Sequence, residues 1–135
     1  MFILKICNIQ SYKDIYEAVK INPVLAATDA HYAYLYAINI IGGRFELGEK
    51  AIAEDGYCSC YYAIKILKKP FPLGEPAIAK DSYYSYLYAF DILEGPFKLG
   101  EPEIAKEEFF SKRYTQEVLK KDFYLDGKLI CKYEG

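Results

Sequence analysis

The side chains in this chain that could carry chemistry are one histidine and four cysteines. His31 has no Ser or Cys partner at a spacing that suggests a nucleophile and its base, and one imidazole cannot form a metal cluster. Cys58 and Cys60 stand two apart on a predicted helix, so their side chains point about 200° apart and cannot form a disulfide with each other. They also lack the CxxC spacing and the nearby histidines of a zinc site. We therefore predict no catalytic residue, no metal site and no cofactor, and interpret the thiols as reduced and buried.

Three glutamates, Glu49, Glu75 and Glu101, recur at one position of a repeated phrase. Three carboxylates in a row could line a site for a cation or a basic ligand. Each glutamate also stands at the start of a predicted short helix, where the helix dipole stabilises a negative charge by a few tenths to about 1 kcal/mol. Because all three copies carry the carboxylate, a local structural role is the simpler interpretation.

Tyrosine is the unusual component, with fifteen in the chain and no tryptophan. Its side chain offers a large contact area at low entropy cost, and it is enriched in binding surfaces. We predict that five tyrosines lie exposed or half-exposed outside the helical core and form a protein-binding surface: Tyr34, Tyr57, Tyr61, Tyr83 and Tyr86. Tyr34 and Tyr86 share one repeat position with Cys60 and Lys112. That position varies between units, so it is the first choice for a contact surface. The alternative is that the repeat favours tyrosine as an amphipathic surface residue.

The element that positions these residues is a phrase that repeats every 26 residues, in segments 29–54, 55–80 and 81–106. A fixed period of this size indicates a repeat architecture. Each segment begins with an aspartate suited to cap a long helix, followed by a turn with glycine or proline, a phenylalanine and a short helix. Small residues four apart on each long helix would allow close helix packing: Ala33 and Ala37, Ser59 and Ala63, Ser85 and Ala89.

The two ends of the chain depart from the repeat. Residues 1–28 are interpreted as an N-terminal capping segment and residues 107–135 as a degenerate C-terminal cap. Within the latter, residues 123–133 fit a hairpin with Asp126-Gly127 in a type I′ turn slightly better than a worn helical repeat. We therefore predict a single domain, 1–135, with an all-α solenoid of helix-turn-helix repeats and a C-terminal β-hairpin.

The charge and the apolar content of the chain limit the kinds of partner that we expect. A net charge of −2 argues against a general nucleic-acid binder, which needs a concentrated basic face. Three basic pairs, Lys68-Lys69, Lys112-Arg113 and Lys120-Lys121, would favour single-stranded RNA only if stacking placed them on one edge with tyrosines between. No apolar run approaches the roughly 20 residues that span a bilayer, and no signal peptide is recognisable. We expect no membrane association and a cytoplasmic location.

The repeated phrase YAxxIL-xxxFxLGExxIA resembles a set of poorly characterised helical-repeat proteins, many of them encoded by bacteriophages and large DNA viruses. The resemblance spans roughly residues 29 to 110 and carries no known active site. It implies a small binding scaffold in the cytosol of a host cell. By analogy it also implies a viral inhibitor of a host protein, such as a CRISPR or other defence nuclease, in the manner of anti-CRISPR proteins.

The function predicted from these observations is a protein-binding helical-repeat scaffold and not an enzyme. Its partner is expected to be another protein, of the host if the chain is viral. Three alternatives stay open. They are a module that contacts or mimics nucleic acid, an enzyme with a cleft around His31 or the glutamate row, and a structural protein that associates with itself.

Overall fold

The computed structural model describes residues 22–135, which are mostly helical and end in a small antiparallel sheet. The predicted N-terminal capping segment 1–28 therefore lies outside the described residues except for 22–28. The mainly helical character and the C-terminal sheet agree with the sequence prediction.

Long and short helices alternate along the described part of the chain. The α-helices are α1 (Pro23–Ala26), α2 (Ala30–Tyr36), α3 (Glu49–Ile52), α4 (Gly56–Tyr61), α5 (Glu75–Ile78), α6 (Ser82–Tyr88), α7 (Glu101–Ile104) and α8 (Glu108–Arg113). Each even-numbered helix continues into a π-helical segment: Ala37–Ile41, Tyr62–Leu67, Ala89–Leu93 and Tyr114–Leu119. A 3-10 turn precedes α3, α5 and α7: Glu46–Gly48, Pro72–Gly74 and Lys98–Gly100.

The long helices begin where the sequence places an aspartate. The carboxylates of Asp29, Asp55 and Asp81 accept hydrogen bonds from backbone N–H groups in the first turns of α2, α4 and α6. These bonds satisfy N–H groups that have no partner within the helix. Glu107 occupies the same position before α8 and makes no capping bond with its side chain.

The long helices end in a widened turn and a residue in the left-handed conformation. The backbone N–H of Lys68 donates to the carbonyl of Ala63, five residues back. Lys68 itself has φ 54°, and Gly42, Glu94 and Lys120 take the same left-handed conformation at the equivalent positions. Because this geometry recurs in every described unit, it belongs to the scaffold and directs the chain into the following turn.

Consecutive long helices contact one another, α2 with α4, α4 with α6, and α6 with α8. The small residues of each long helix face the neighbouring short helices and turns. Ser59 and Ser85 are fully buried, and their hydroxyls donate to the carbonyls of Ile52 and Ile78. A Cβ built on Gly74 would lie 2.5 Å from the Ser59 Oγ, so this position admits only glycine without a shift of the neighbouring helix. The small residues that the sequence places four apart on the long helices are therefore buried.

A buried tyrosine joins each long helix to the turn of the preceding unit. Its hydroxyl accepts a hydrogen bond from the backbone N–H of a phenylalanine and donates one to a glutamate carboxylate. We call this arrangement the tyrosine bridge. It occurs three times, as Tyr62 with Phe45 and Glu49, Tyr88 with Phe71 and Glu75, and Tyr114 with Phe97 and Glu101. The N–H···O distances are 2.9–3.0 Å, and the three tyrosines are fully buried.

The C-terminal segment forms a hairpin of β1 (Phe123–Leu125) and β2 (Lys128–Cys131). Asp126 and Gly127 connect the strands with φ values of 50° and 78°. Type I′ turns require positive φ at both positions. Phe123 is buried and packs its ring edge-on against Tyr114 at 5.2 Å. The favoured hairpin is thus confirmed, and its first residue keeps the phenylalanine position of the repeat.

The tyrosine bridge gives a first testable prediction. In Tyr88→Phe, the Phe71 N–H and the Glu75 carboxylate lose their shared partner while the ring and its packing remain. Each buried polar group left unpaired costs about 1–3 kcal/mol, so we expect a loss of about 2–4 kcal/mol in the free energy of unfolding. Guanidinium unfolding followed by circular dichroism measures the change.

The matched control is Tyr124→Phe, because the Tyr124 side chain is exposed on β1. It should change the free energy of unfolding by less than about 0.5 kcal/mol. Equal stability of Tyr88→Phe and Tyr124→Phe would show that the bridge does not stabilise the fold.

Candidate functional site

The glutamate row is part of the scaffold. Glu49 and Glu101 are buried, Glu75 is half-buried, and each accepts a hydrogen bond from a bridging tyrosine. Glu49 also forms an ion pair with Arg44 at 2.8 Å. Each carboxylate therefore has a partner within the scaffold, and the geometry supports the structural interpretation over a shared cation site.

Two of the five predicted binding tyrosines are not at the surface. The exposed fractions of Tyr34 and Tyr86 are 6% and 5%, so the expectation that they are exposed is wrong. The reason is coverage by the next unit. Tyr57 places its ring edge-on against Tyr34 at 6.2 Å, whereas Tyr86 packs against Phe110 and donates a hydrogen bond from its hydroxyl to Glu117.

The contact surface predicted at the repeat position of Tyr34 and Tyr86 is wrong for the same reason, because the following unit covers this position. Cys60, equivalent to Tyr34 and Tyr86, is fully buried, with its Sγ 3.7 Å from the carbonyl of Tyr84. Lys112 is exposed in the last unit. This position therefore faces the following helix, and its variation reflects how each pair of units packs.

The other three predicted tyrosines reach the surface. Tyr57 and Tyr83 are 42% and 39% exposed, and Tyr61 is half-buried. Tyr57 and Tyr61 lie on α4 with their ring centroids 4.9 Å apart, and Lys65 places its Nζ 5.4 Å from the Tyr61 ring. These contacts hold the rings in place at the edge of the scaffold.

Sequence reasoning missed an exposed aromatic residue in the next unit. Phe109 is 63% exposed and occupies the repeat position of Tyr57 and Tyr83. A comparison of residues 26 positions apart would have identified Phe109 from the sequence. We refer to Tyr57, Tyr83 and Phe109 as the aromatic row. Each unit from the second onward contributes one of its members, and His31 holds the same position in the first.

Two further aromatic side chains, Tyr84 and Phe110, pack against the aromatic row. Tyr84 contacts Tyr57 at 6.0 Å and Tyr83 at 5.2 Å between ring centroids. Phe110 contacts Tyr83 at 5.6 Å and Phe109 at 5.1 Å. Ring contacts thus run without interruption from α4 to α8.

The three basic pairs do not all share one repeat position. Lys68 and Lys120 are the left-handed residues that end the helices, whereas Lys112 and Arg113 lie in the last turn of α8. Arg113 is engaged with Glu117 at 3.1 Å and lies 5.8 Å from the Phe109 ring. The structure therefore does not align all three pairs at equivalent positions, the arrangement that would favour single-stranded RNA.

One cluster of ligating side chains was also missed. The Sγ of Cys58 lies 3.4 Å from the Nδ1 of His31, and Asp55 accepts the backbone N–H of Cys58 at 2.8 Å. The expectation that His31 has no cysteine partner is wrong, because one repeat period brings positions 31 and 58 to adjacent helices. Burial, followed by the nearby Asp55, raises the pKa of the Cys58 thiol. A buried, protonated thiol is a poor nucleophile.

The remaining described cysteines fit the expectation of free thiols. Cys60 is buried and Cys131 is half-buried, and neither forms a disulfide. Burial raises the pKa of Cys60 to about 12. Cys7 lies outside the described residues.

Comparison with protein-family models found no match, and comparisons with curated proteins and with solved structures found no significant match. None of the helices between residues 22 and 135 combines the length and apolar character needed to cross a membrane.

The buried tyrosines predict how stability depends on pH. Burial, followed by hydrogen bonding to a glutamate, raises the pKa of Tyr62, Tyr88 and Tyr114 above the ordinary value of about 10. Because the folded pKa exceeds the unfolded one, their contribution is complete below about pH 10 and is lost as the pH rises toward the folded pKa. Each tyrosine should lower the free energy of unfolding by about 1.4 kcal/mol per pH unit in this window.

Guanidinium unfolding at about pH 8, 10 and 11 measures this slope. The Tyr88→Phe variant should show a shallower slope, because one titrating group is removed. A free energy of unfolding that stays constant above pH 10 would contradict the assignment.

Proposed function

We propose that the chain is an α-helical solenoid that binds another protein through the aromatic row. The solenoid proposal is supported by contacts between consecutive long helices and by the tyrosine bridge at equivalent positions of three units. In such an array each unit buries its apolar face against its neighbours, so positions outside the contacts are free to serve binding.

The aromatic row is the observation that carries the binding proposal. Large rings at one exposed position of three successive units form a contact surface with a regular spacing. Tyrosine and phenylalanine are enriched in the buried centres of protein interfaces, where truncating one anchor costs more than about 1–2 kcal/mol of binding free energy. Tyr61 and Lys65 flank the row and would supply polar contacts at its rim.

A protein partner fits this surface better than nucleic acid. The net charge is −2, and the three basic pairs do not all share one repeat position. Single-strand binding combines stacking rings with a positively charged groove, and the aromatic row supplies the first of these two features. The narrower proposal, a viral protein that inhibits a host defence protein, is supported by the resemblance of the repeated phrase alone.

A second exposed row provides a matched control. Leu47, Leu73 and Leu99 stand at one position of the three turns, and each is more than half exposed. They are apolar and repeat with the same period, so they resemble the aromatic row in number and spacing. A partner that used any exposed apolar residue would respond to changes in both rows.

The experiment compares two triple variants in partner capture from a lysate of the native host cell. Tyr57→Gln/Tyr83→Gln/Phe109→Gln removes the aromatic row, and Leu47→Gln/Leu73→Gln/Leu99→Gln removes the leucine row. We expect the aromatic variant to lose a protein that the wild type and the leucine variant retain. With that protein purified, the aromatic variant should bind at least about tenfold more weakly, since 1.4 kcal/mol corresponds to a factor of ten.

Both variants must first show wild-type circular dichroism and an unchanged apparent size. Equal retention by the aromatic and leucine variants would refute this surface assignment. Co-purification with RNA that high salt removes would support the nucleic-acid alternative. Concentration-dependent oligomers of the wild type that the aromatic variant abolishes would instead identify self-association.

A further inference from the structure

We propose that His31, Cys58 and Asp55 form a binding site for a zinc-class divalent transition-metal ion between α2 and α4. Each residue offers one ligand atom, and the three atoms lie within 4.8 Å of one another. Imidazole nitrogen, thiolate sulfur and carboxylate oxygen are the ligands that Zn²⁺ uses in proteins. This site is independent of the aromatic row proposed for protein binding.

The distance between His31 and Cys58 matches the separation of two ligands of one metal ion. Zn–N bonds of about 2.0–2.1 Å and a Zn–S bond of about 2.3 Å at a tetrahedral angle place the two ligand atoms about 3.5 Å apart. The observed Nδ1–Sγ distance is 3.4 Å. The imidazole and the thiol therefore already hold the required separation, and Asp55 completes the set from the N-cap of α4.

The repeat provides an internal comparison for this pair. At the contact between the next two units, the positions of His31 and Cys58 are held by Tyr57 and Tyr84, with ring centroids 6.0 Å apart. At the following contact they are held by Tyr83 and Phe110, at 5.6 Å. Two rings thus suffice to pack these positions. Two ligating side chains replace the rings at the first contact, although the capping aspartate is common to all three complete units.

The surroundings favour a cation with one open coordination position. The carboxylate of Asp29 caps α2 by accepting the backbone N–H of His31 at 2.9 Å. It adds negative charge beside the three ligands. His31 is exposed while Cys58 is fully buried, so an ion can enter from solvent on the imidazole side. On binding, the Cys58 thiol releases its proton to solvent as the sulfur–metal bond forms.

With three protein ligands, the fourth position of a tetrahedral ion is left to water or to a group from a partner. The ion would connect α2 to α4 at the first contact between complete units, in addition to the hydrogen bonds found at every contact. Metal binding at this contact would therefore stabilise the folded chain.

The test uses the full chain after treatment with a chelator, and Co²⁺ and Zn²⁺ as separate probes. Wild type should show a thiolate-to-cobalt charge-transfer band that saturates at one equivalent, and Zn²⁺ should abolish the band and raise the Tm. His31→Tyr and Cys58→Ser should each weaken binding by more than about 100-fold, because even outer-shell partners of metal ligands contribute 10–100-fold. Tyrosine at position 31 follows the repeat, since Tyr57 and Tyr83 hold the equivalent positions.

Cys60→Ser and Cys131→Ser are the matched controls, and they should retain wild-type spectra and affinity. His31 is exposed, so His31→Tyr remains informative if Cys58→Ser fails to fold. Absence of the band in wild type at micromolar cobalt, or a band that persists at full strength in His31→Tyr, would overturn the proposal.

Discussion

The structure depends on a buried tyrosine hydroxyl that joins two units of the repeat. In Tyr88 the hydroxyl accepts the N–H of Phe71 at 3.0 Å and donates to Glu75 at 2.6 Å. The Phe71 N–H starts an irregular turn and has no partner in a regular helix, so without the tyrosine it would be buried and unpaired. Because the hydroxyl comes from the following unit, the Phe71 N–H has this partner only when the next helix is in place.

This dependence explains why the same residue types recur at the same positions. The phenylalanine ring fills the space beside the tyrosine, with Tyr88 and Phe97 edge-on at 5.1 Å. Glycine before the glutamate lets the turn approach a serine or alanine of the long helix. Changes at these positions would disturb the packing within each unit. The members of the aromatic row are exposed at a different repeat position, although their rings also pack against neighbouring aromatic side chains.

Sequence reasoning predicted the features that are local to one unit. The capping aspartates, the turns after the long helices and the C-terminal hairpin depend on residues close together in the chain. Predictions that depended on how consecutive units pack against each other were less accurate. Tyr34 and Tyr86 were placed at the surface because helical periodicity describes one helix and does not show which face the next helix covers.

The proximity of His31 and Cys58 was missed for a related reason. Their separation is one period plus one residue, a spacing that has no meaning in a single helix but joins adjacent helices in a stack. Phe109 was missed although it shares a repeat position with Tyr57 and Tyr83, because the last unit has diverged elsewhere. In a repeat protein, comparison of equivalent positions across units gives more information about surfaces than the pattern within one unit.

Native-state hydrogen exchange at the amides of Phe45, Phe71 and Phe97 tests the account most directly. Each of these N–H groups donates to the hydroxyl of a tyrosine from the next unit. If the bridge holds the units together, the three amides should be strongly protected and should exchange only when neighbouring units separate. Exchange at the rate of an exposed turn amide would contradict the account.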